Sequence, residues 1–122
     1  MSVNELIVST LLPLEIPVFF VAKPEENECK NINRYITFNY NVYDQFYSNN
    51  LNEGNLYEIS LNFITTNQAD VFNVINEIKK LLRKSDQFYN IVVRGTVVNK
   101  VNSVAMSEYI TTLSLEYIGF DV

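Results

Sequence analysis

Histidine is absent from this chain of 122 residues, and cysteine occurs only once. Without histidine, one chain cannot form a Cys–His zinc site, a Cys–His nucleophile pair or a Ser–His–Asp triad. The single cysteine, Cys29, cannot form an internal disulfide, so the sequence does not require an oxidising compartment. The three glycines, Gly54, Gly95 and Gly119, are too far apart for a loop that cradles phosphate. The sequence therefore predicts no catalytic residues, no cofactor site and no metal site.

Long apolar runs and an excess of positive charge are missing as well. No apolar run approaches the roughly 20 residues that cross a bilayer. Residues 1–12 have no basic start, so we expect neither a membrane span nor a secretory signal. The formal net charge is −5, and phosphate contacts dominate the affinity of proteins for duplex DNA. We therefore expect a protein that is kept inside a cell and does not bind duplex DNA.

Two charged segments could in principle bind an ion, but each has a simpler structural interpretation. Four cations in residues 79–84 lie at the end of a predicted helix, where we expect them to stabilise the negative end of its dipole rather than to form a phosphate site. Residues 25–28 are rich in glutamate but do not have the spacing of a calcium loop. We interpret them as part of a solvated surface loop that also holds an inert Cys29 thiol.

The clearest pattern is an amphipathic helix over residues 67–84. Asn67 is placed to cap its first turn, and Asp70 suits the positive end of the helix dipole. A shorter helix is predicted over residues 2–12, because Ser2 and Glu5 have the spacing of a capping box. The apolar residues of the longer helix lie on one side of a 3.6-residue period; they are Val71, Val74, Ile75, Ile78, Leu81 and Leu82.

Strand patterns flank the longer helix on both sides. Apolar and polar residues alternate in residues 35–42, 57–63, 89–97 and 109–117, and residues 18–21 form a short apolar strand. The polar stretch at residues 48–55 predicts a long hairpin between the first two alternating strands. The order αβββαββ predicts one α+β domain over residues 1–122, with a mostly antiparallel sheet of about five strands and both helices on one face.

Several apolar side chains lie outside the stripes that would form the core. Some lie on the longer helix outside its apolar stripe, some lie at the mouth of the hairpin, and the others lie on the second face of the last two strands. In the first of these two strands, Gly95 is expected to mark a bulge or bend. A partly apolar second face on so small a chain suggests burial against another subunit, although the first helix or a loop could equally cover it. The predicted interface residues are Phe46, Tyr47, Leu51, Leu56, Phe72, Val92, Val98, Ile110 and Ile118.

The layout of the chain also resembles a known family. An N-terminal helix leads to IPVFF at residues 16–20, and the strand YITFNY follows at residues 35–40. After the polar turn come LYEISLNFITT at residues 56–66 and the helix at residues 69–84. In this order and in its size, most of the chain resembles the tail terminator, or tail completion, proteins of long-tailed bacteriophages, a family of minor tail proteins.

The resemblance implies a structural protein without catalysis or a cofactor. Members of the family assemble as a ring, commonly a hexamer, on the last ring of the tail tube, stop its growth and present a surface to the head connector. The implied partners are copies of the chain itself, the tail tube protein and a head completion or connector protein. DNA would pass without specific binding, and no membrane is involved. The implied location is the head–tail junction of the virion, after assembly in the cytoplasm of a bacterial host.

Two other function classes stay open on the residues alone. A small intracellular binding or inhibitory module would act on a host protein, with the hairpin edge adding a strand to the partner's sheet. A sheet that binds single-stranded nucleic acid would use aromatic strands, for which the 8 Tyr and 8 Phe are available. The acidic net charge argues against this last class.

Overall fold

The computed structural model describes residues 2–20, 34–48, 51–100 and 107–119, without the side chains of residues 44–48, 51–53 and 100. The predicted loop that contains Cys29 and the acidic run lies outside the described residues. The predicted order αβββαββ is confirmed. The elements are α1 (Val3–Leu11), a 3-10 turn (Leu12–Leu14), β1 (Val18–Phe20), β2 (Arg34–Ser48), β3 (Leu51–Thr65), α2 (Gln68–Ser85), β4 (Phe88–Lys100) and β5 (Ser107–Gly119).

Within the described ranges, five strands form one sheet in the order β1-β2-β3-β5-β4. β1 pairs with β2 in parallel, and the other three strand pairs are antiparallel. The predicted α+β class with a mostly antiparallel sheet is therefore confirmed. The strand order puts β3 at the centre of the sheet and leaves β1 and β4 as its edges.

Both predicted helix starts are confirmed by their capping bonds. The Ser2 hydroxyl accepts a hydrogen bond from the Glu5 N–H at 3.2 Å and donates one to the Glu5 carboxylate at 3.1 Å. The Asn67 side chain accepts from the Ala69 N–H at 3.0 Å. These bonds satisfy amide groups that a helix start otherwise leaves without a partner. α2 ends where Asp86 turns into the left-handed region with a φ of 59°.

One apolar core lies between the sheet and the two helices. Phe38, Leu61 and Leu113 are fully buried neighbours across β2, β3 and β5. Because paired residues lie on the same side of a sheet, these three define the face that the helices cover. Ile7 of α1 and Ile78 of α2 belong to the same buried cluster. Both helices therefore pack on one face, as predicted.

A row of aromatic rings crosses the helix-covered face beside this core. Neighbouring rings have centroids 5.3–5.9 Å apart, which is the range of favourable aromatic pairs. The Tyr40 hydroxyl donates a 2.6 Å hydrogen bond to the Asn4 side chain and so connects the row to α1. Each of the five strands contributes one ring to this row, and the rings are Phe20, Tyr40, Tyr57, Tyr117 and Phe88.

The hairpin of β2 and β3 is longer than its sequence predicts. The expected turn at residues 48–55 is shorter, because β3 already begins at Leu51 and pairs with Ser48. Pairing with a long neighbouring strand overrides the turn preference of the asparagines and glycine there. Among the described residues, the pairing of β3 with β5 begins at Asn55. Leu51–Gly54 pair with Phe46–Ser48 of β2 at the closed end of the hairpin, and we call these two segments the arm.

Two bulges in β4 change which side chains share a face. β4 has an extra residue relative to β5 between Tyr89 and Val92, and another between Val93 and Gly95. The bulge predicted at Gly95 is confirmed, and this glycine has a φ of 140°. Each extra residue sends the side chains that follow it to the opposite face. The prediction that Val92 and Val98 share a face is wrong for this reason, since Val98 pairs with Tyr109 on the helix-covered face.

Candidate subunit interface

β4 is a long edge strand with apolar side chains exposed on both of its faces. It has 13 residues, whereas the opposite edge strand β1 has three. Val97 is 60% exposed on the face away from the helices, and Val98 is 55% exposed on the helix-covered face. Tyr89, Val92 and Val93 are exposed as well. A long apolar edge offers unpaired backbone groups to another strand, and soluble proteins normally protect such an edge.

Among the described residues, the outer edge of β4 pairs with no other strand, and the two bulges leave one regular stretch of it. Beyond Gly95, each β4 residue from Thr96 to Lys100 has one direct partner on β5. A bulge twists an edge away from a new strand, and this stretch has none. Residues 96–100 are therefore the part of β4 best able to accept an added strand.

Phe72 extends this apolar surface onto α2. Its side chain is 73% exposed, as its place off the helix stripe predicts. An open groove of about 400 Å³ lies between the first turns of α2 and the end of β4. It is lined by Gln68, Val71, Phe72, Thr96, Val98 and Tyr109. We call the exposed apolar surface formed by Phe72, Tyr89, Val92, Val93, Val97 and Val98 the β4 patch.

The open face is the side of the sheet away from the helices, and its centre is polar. Asn39, Ser60 and Ser114 are neighbours across β2, β3 and β5 on this face. Beside them lies a groove of about 350 Å³ whose lining includes Glu58 and Glu116. The Arg94 side chain donates to the Ser114 hydroxyl at 3.0 Å. Among the described side chains of β2, β3 and β5, the apolar ones on this face lie towards its two ends, whereas β4 adds Val92 beside Ser114.

This arrangement separates the residues predicted for the second face. Leu56 and Ile118 are paired at one end of the open face and are half-buried. Ile110 is half-buried at the other end, where its neighbours are Ile64 and Val97. Ile110 and Ile118 belong to the same strand and lie about 26 Å apart at the usual rise per residue. The structure therefore does not bring these three residues into one patch.

The other predicted interface residues divide between the β4 patch and the hairpin arm. Phe72, Val92 and Val98 all belong to the β4 patch, although Val98 reaches it from the helix-covered face. Phe46, Tyr47 and Leu51 have their backbones in the arm, and their side chains lie outside the described part of the structure.

Sequence reasoning missed Tyr89, Val93 and Val97, which it included in the alternating stretch of residues 89–97 and not among the predicted interface residues. The bulges place Val93 on the helix-covered face and the other two on the open face. The edge position of β4 then leaves all three exposed. The available signal was the presence of apolar residues at both odd and even positions of one strand, which alternation alone cannot assign to a single face.

The described residues show little else that suggests a chemical site. No three Cys, Asp or Glu side chains among them come close enough to hold a metal ion. Neither described helix has the length and apolarity needed to span a bilayer. No protein-family model matches the chain, and no curated protein matches it significantly in sequence.

Proposed function

We propose that this chain is a non-enzymatic assembly protein that forms a ring with copies of itself, as tail terminators do. The ring would cap a phage tail tube and join it to the head connector. The observation that carries the proposal is the β4 patch, an exposed apolar edge that is not covered by described residues of its own chain. The αβββαββ order, which motivated the resemblance, supports it.

The length of β4 suits a subunit contact. A stable protein–protein contact buries about 800 Å² on each partner, which is about a tenth of the 8020 Å² accessible surface of this chain. A strand of 13 residues is about 43 Å long and presents side chains on both faces. A ring needs a heterologous contact, in which one patch meets a different patch on the next copy. In this proposal the β4 patch is one half of that contact.

The two-stranded arm is the second feature that suits this role. Leu51–Gly54 pair with Phe46–Ser48 at the closed end of the hairpin. The sequence there includes the apolar residues Phe46, Tyr47 and Leu51, and contact with another surface would remove apolar groups of this kind from water. We propose that the arm contacts the tail tube or the connector, while the β4 patch contacts the neighbouring copy. The net charge of −5 suits a lumen through which DNA passes without sticking.

Light scattering over a concentration series tests the proposal. We expect the mass to rise from 14.1 kDa to a closed species that is a multiple of it, six-fold for a hexamer. Addition of assembled tail tubes should shift the chain into a tube-bound fraction, because the tube end supplies the second contact. A chain that stays monomeric at high concentration and does not bind tubes would contradict the proposal.

The free edge of β4 also favours a second candidate, a small module that adds β4 to the sheet of a host protein. A module of this kind would form a one-to-one complex with one host protein and would not form a closed ring. Pull-down from host lysate distinguishes the two candidates. A host enzyme as the main partner supports the module, and tail tube or connector proteins support the terminator.

A further inference from the structure

The open face carries two acidic side chains directly opposite each other. Glu58 of β3 and Glu116 of β5 are cross-strand partners, and like charges in this position destabilise a sheet. Glu116 accepts a 2.6 Å hydrogen bond from the Asn90 side chain. The nearby Arg94 side chain is hydrogen-bonded to Ser114. Among the described residues, no cation forms an ion pair with either glutamate.

The helix-covered side of the molecule carries four cations in the last two turns of α2. Arg83 and Lys84 lie in the last turn of α2, where the helix dipole favours them. The dipole effect falls off within one turn, so the expectation that it explains all four cations holds for Arg83 and Lys84 but not for Lys79 and Lys80 in the turn before. Lys80 pairs with Glu77 at 3.5 Å on the exposed surface, and the other three cations form no ion pair within the described ranges.

These two charged sites cannot meet within one copy, because α2 covers one face of the sheet and the glutamate pair lies on the other. They can meet between copies that are arranged head to tail. We infer that the basic end of α2 in one copy docks on the Glu58–Glu116 pair of the next copy. This inference rests on the proposed ring and identifies the charged part of its subunit contact. A contact between two different patches is heterologous, as a ring requires.

The charge complementarity has two measurable consequences. The cations would relieve the repulsion between the two glutamates, so association should weaken as salt screens the contact. The contact would also fix which face of one copy meets which face of the next, since reversed stacking would bring like charges together.

Charge reversal tests the inference in the full-length chain. We expect Glu58→Lys and Arg83→Glu each to weaken self-association at least tenfold at low salt, because each places like charges across the contact. The double variant should return to within about threefold of the wild-type dissociation constant, since the pair is restored with reversed sign. Glu15→Lys is the matched control for Glu58→Lys: it makes the same change in net charge at an exposed site between the 3-10 turn and the edge strand β1, and its association should stay close to wild type.

Sedimentation velocity measures association, and circular dichroism checks that each variant is folded. If the wild type associates but the reversals change nothing, or the double variant does not recover, the docking is wrong and the ring proposal stands. If the wild type stays monomeric at all concentrations, both proposals fail. A rise in the melting temperature of the wild-type monomer on adding CaCl₂, absent in Glu58→Lys, would assign the glutamate pair to a metal ion and overturn the inference.

Discussion

Replacing Val97 with lysine is expected to weaken self-association at least tenfold, or by about 1.4 kcal/mol, while the chain stays folded. Val97 is 60% exposed at the regular end of the free β4 edge. A lysine on an edge strand resists the approach of another strand, because its charge would have to leave water. Sedimentation velocity over a concentration series gives the two dissociation constants.

The matched control for this experiment is Val8→Lys. Val8 is 39% exposed on α1, on the side of the molecule away from β4, and its substitution introduces the same charge at an exposed apolar site. We expect association close to wild type for this variant. Equal weakening by both variants would show that association depends on general surface apolarity and would argue against the β4 patch.

Replacing Leu61 with alanine is expected to lower the free energy of unfolding by about 3–4 kcal/mol. Leu61 lies on the central strand β3, is 0% exposed, and contacts cross-strand neighbours Phe38 and Leu113 in the core. The truncation leaves a cavity that a packed five-strand sheet cannot close by a small shift. Urea unfolding followed by circular dichroism measures the loss.

Leu12→Ala is the leucine control for the core substitution. Leu12 is 69% exposed after α1, so we expect its loss to change stability by at most about 0.5 kcal/mol. A similar cost for both leucines would contradict the assigned core. The comparison also separates folding from assembly, because Leu61 lies away from the surfaces proposed for contact.

The parts of the fold that depend on local pattern were predictable from the sequence. The 3.6-residue stripe predicts the helix α2, and the Ser2–Glu5 capping box predicts the start of α1. The alternation of apolar and polar residues predicts the strands β2, β3 and β5. Each of these signals comes from residues within a few positions of one another. The order of the strands depends on contacts between distant segments, and no local pattern contains it.

The candidate interface was predictable only in part for the same reason. Phe72 stood out because a helix has a single buried stripe, and its exposure is confirmed. Val98 was placed on the wrong face because the bulge at Gly95 adds a residue whose effect on the later alternation was not carried through. Val97 and Tyr89 were missed because their exposure follows from the edge position of β4, which the sequence does not reveal.

Hydrogen–deuterium exchange at the β4 backbone tests the central claim most directly, since it reports whether an unpaired edge becomes covered. In an antiparallel ladder, alternate N–H groups of β4 donate to β5 and the others point away from it. The proposed ring predicts that the outward-pointing amides in residues 96–100 exchange fast in dilute protein and become protected at concentrations where the mass rises. Amides of the central strand β3 should be protected in both states, which provides the internal control. Exchange that stays unchanged both along β4 and at the start of α2, which includes Phe72, while the chain associates would show that copies meet elsewhere. This result would contradict the proposal that the β4 patch forms the subunit contact.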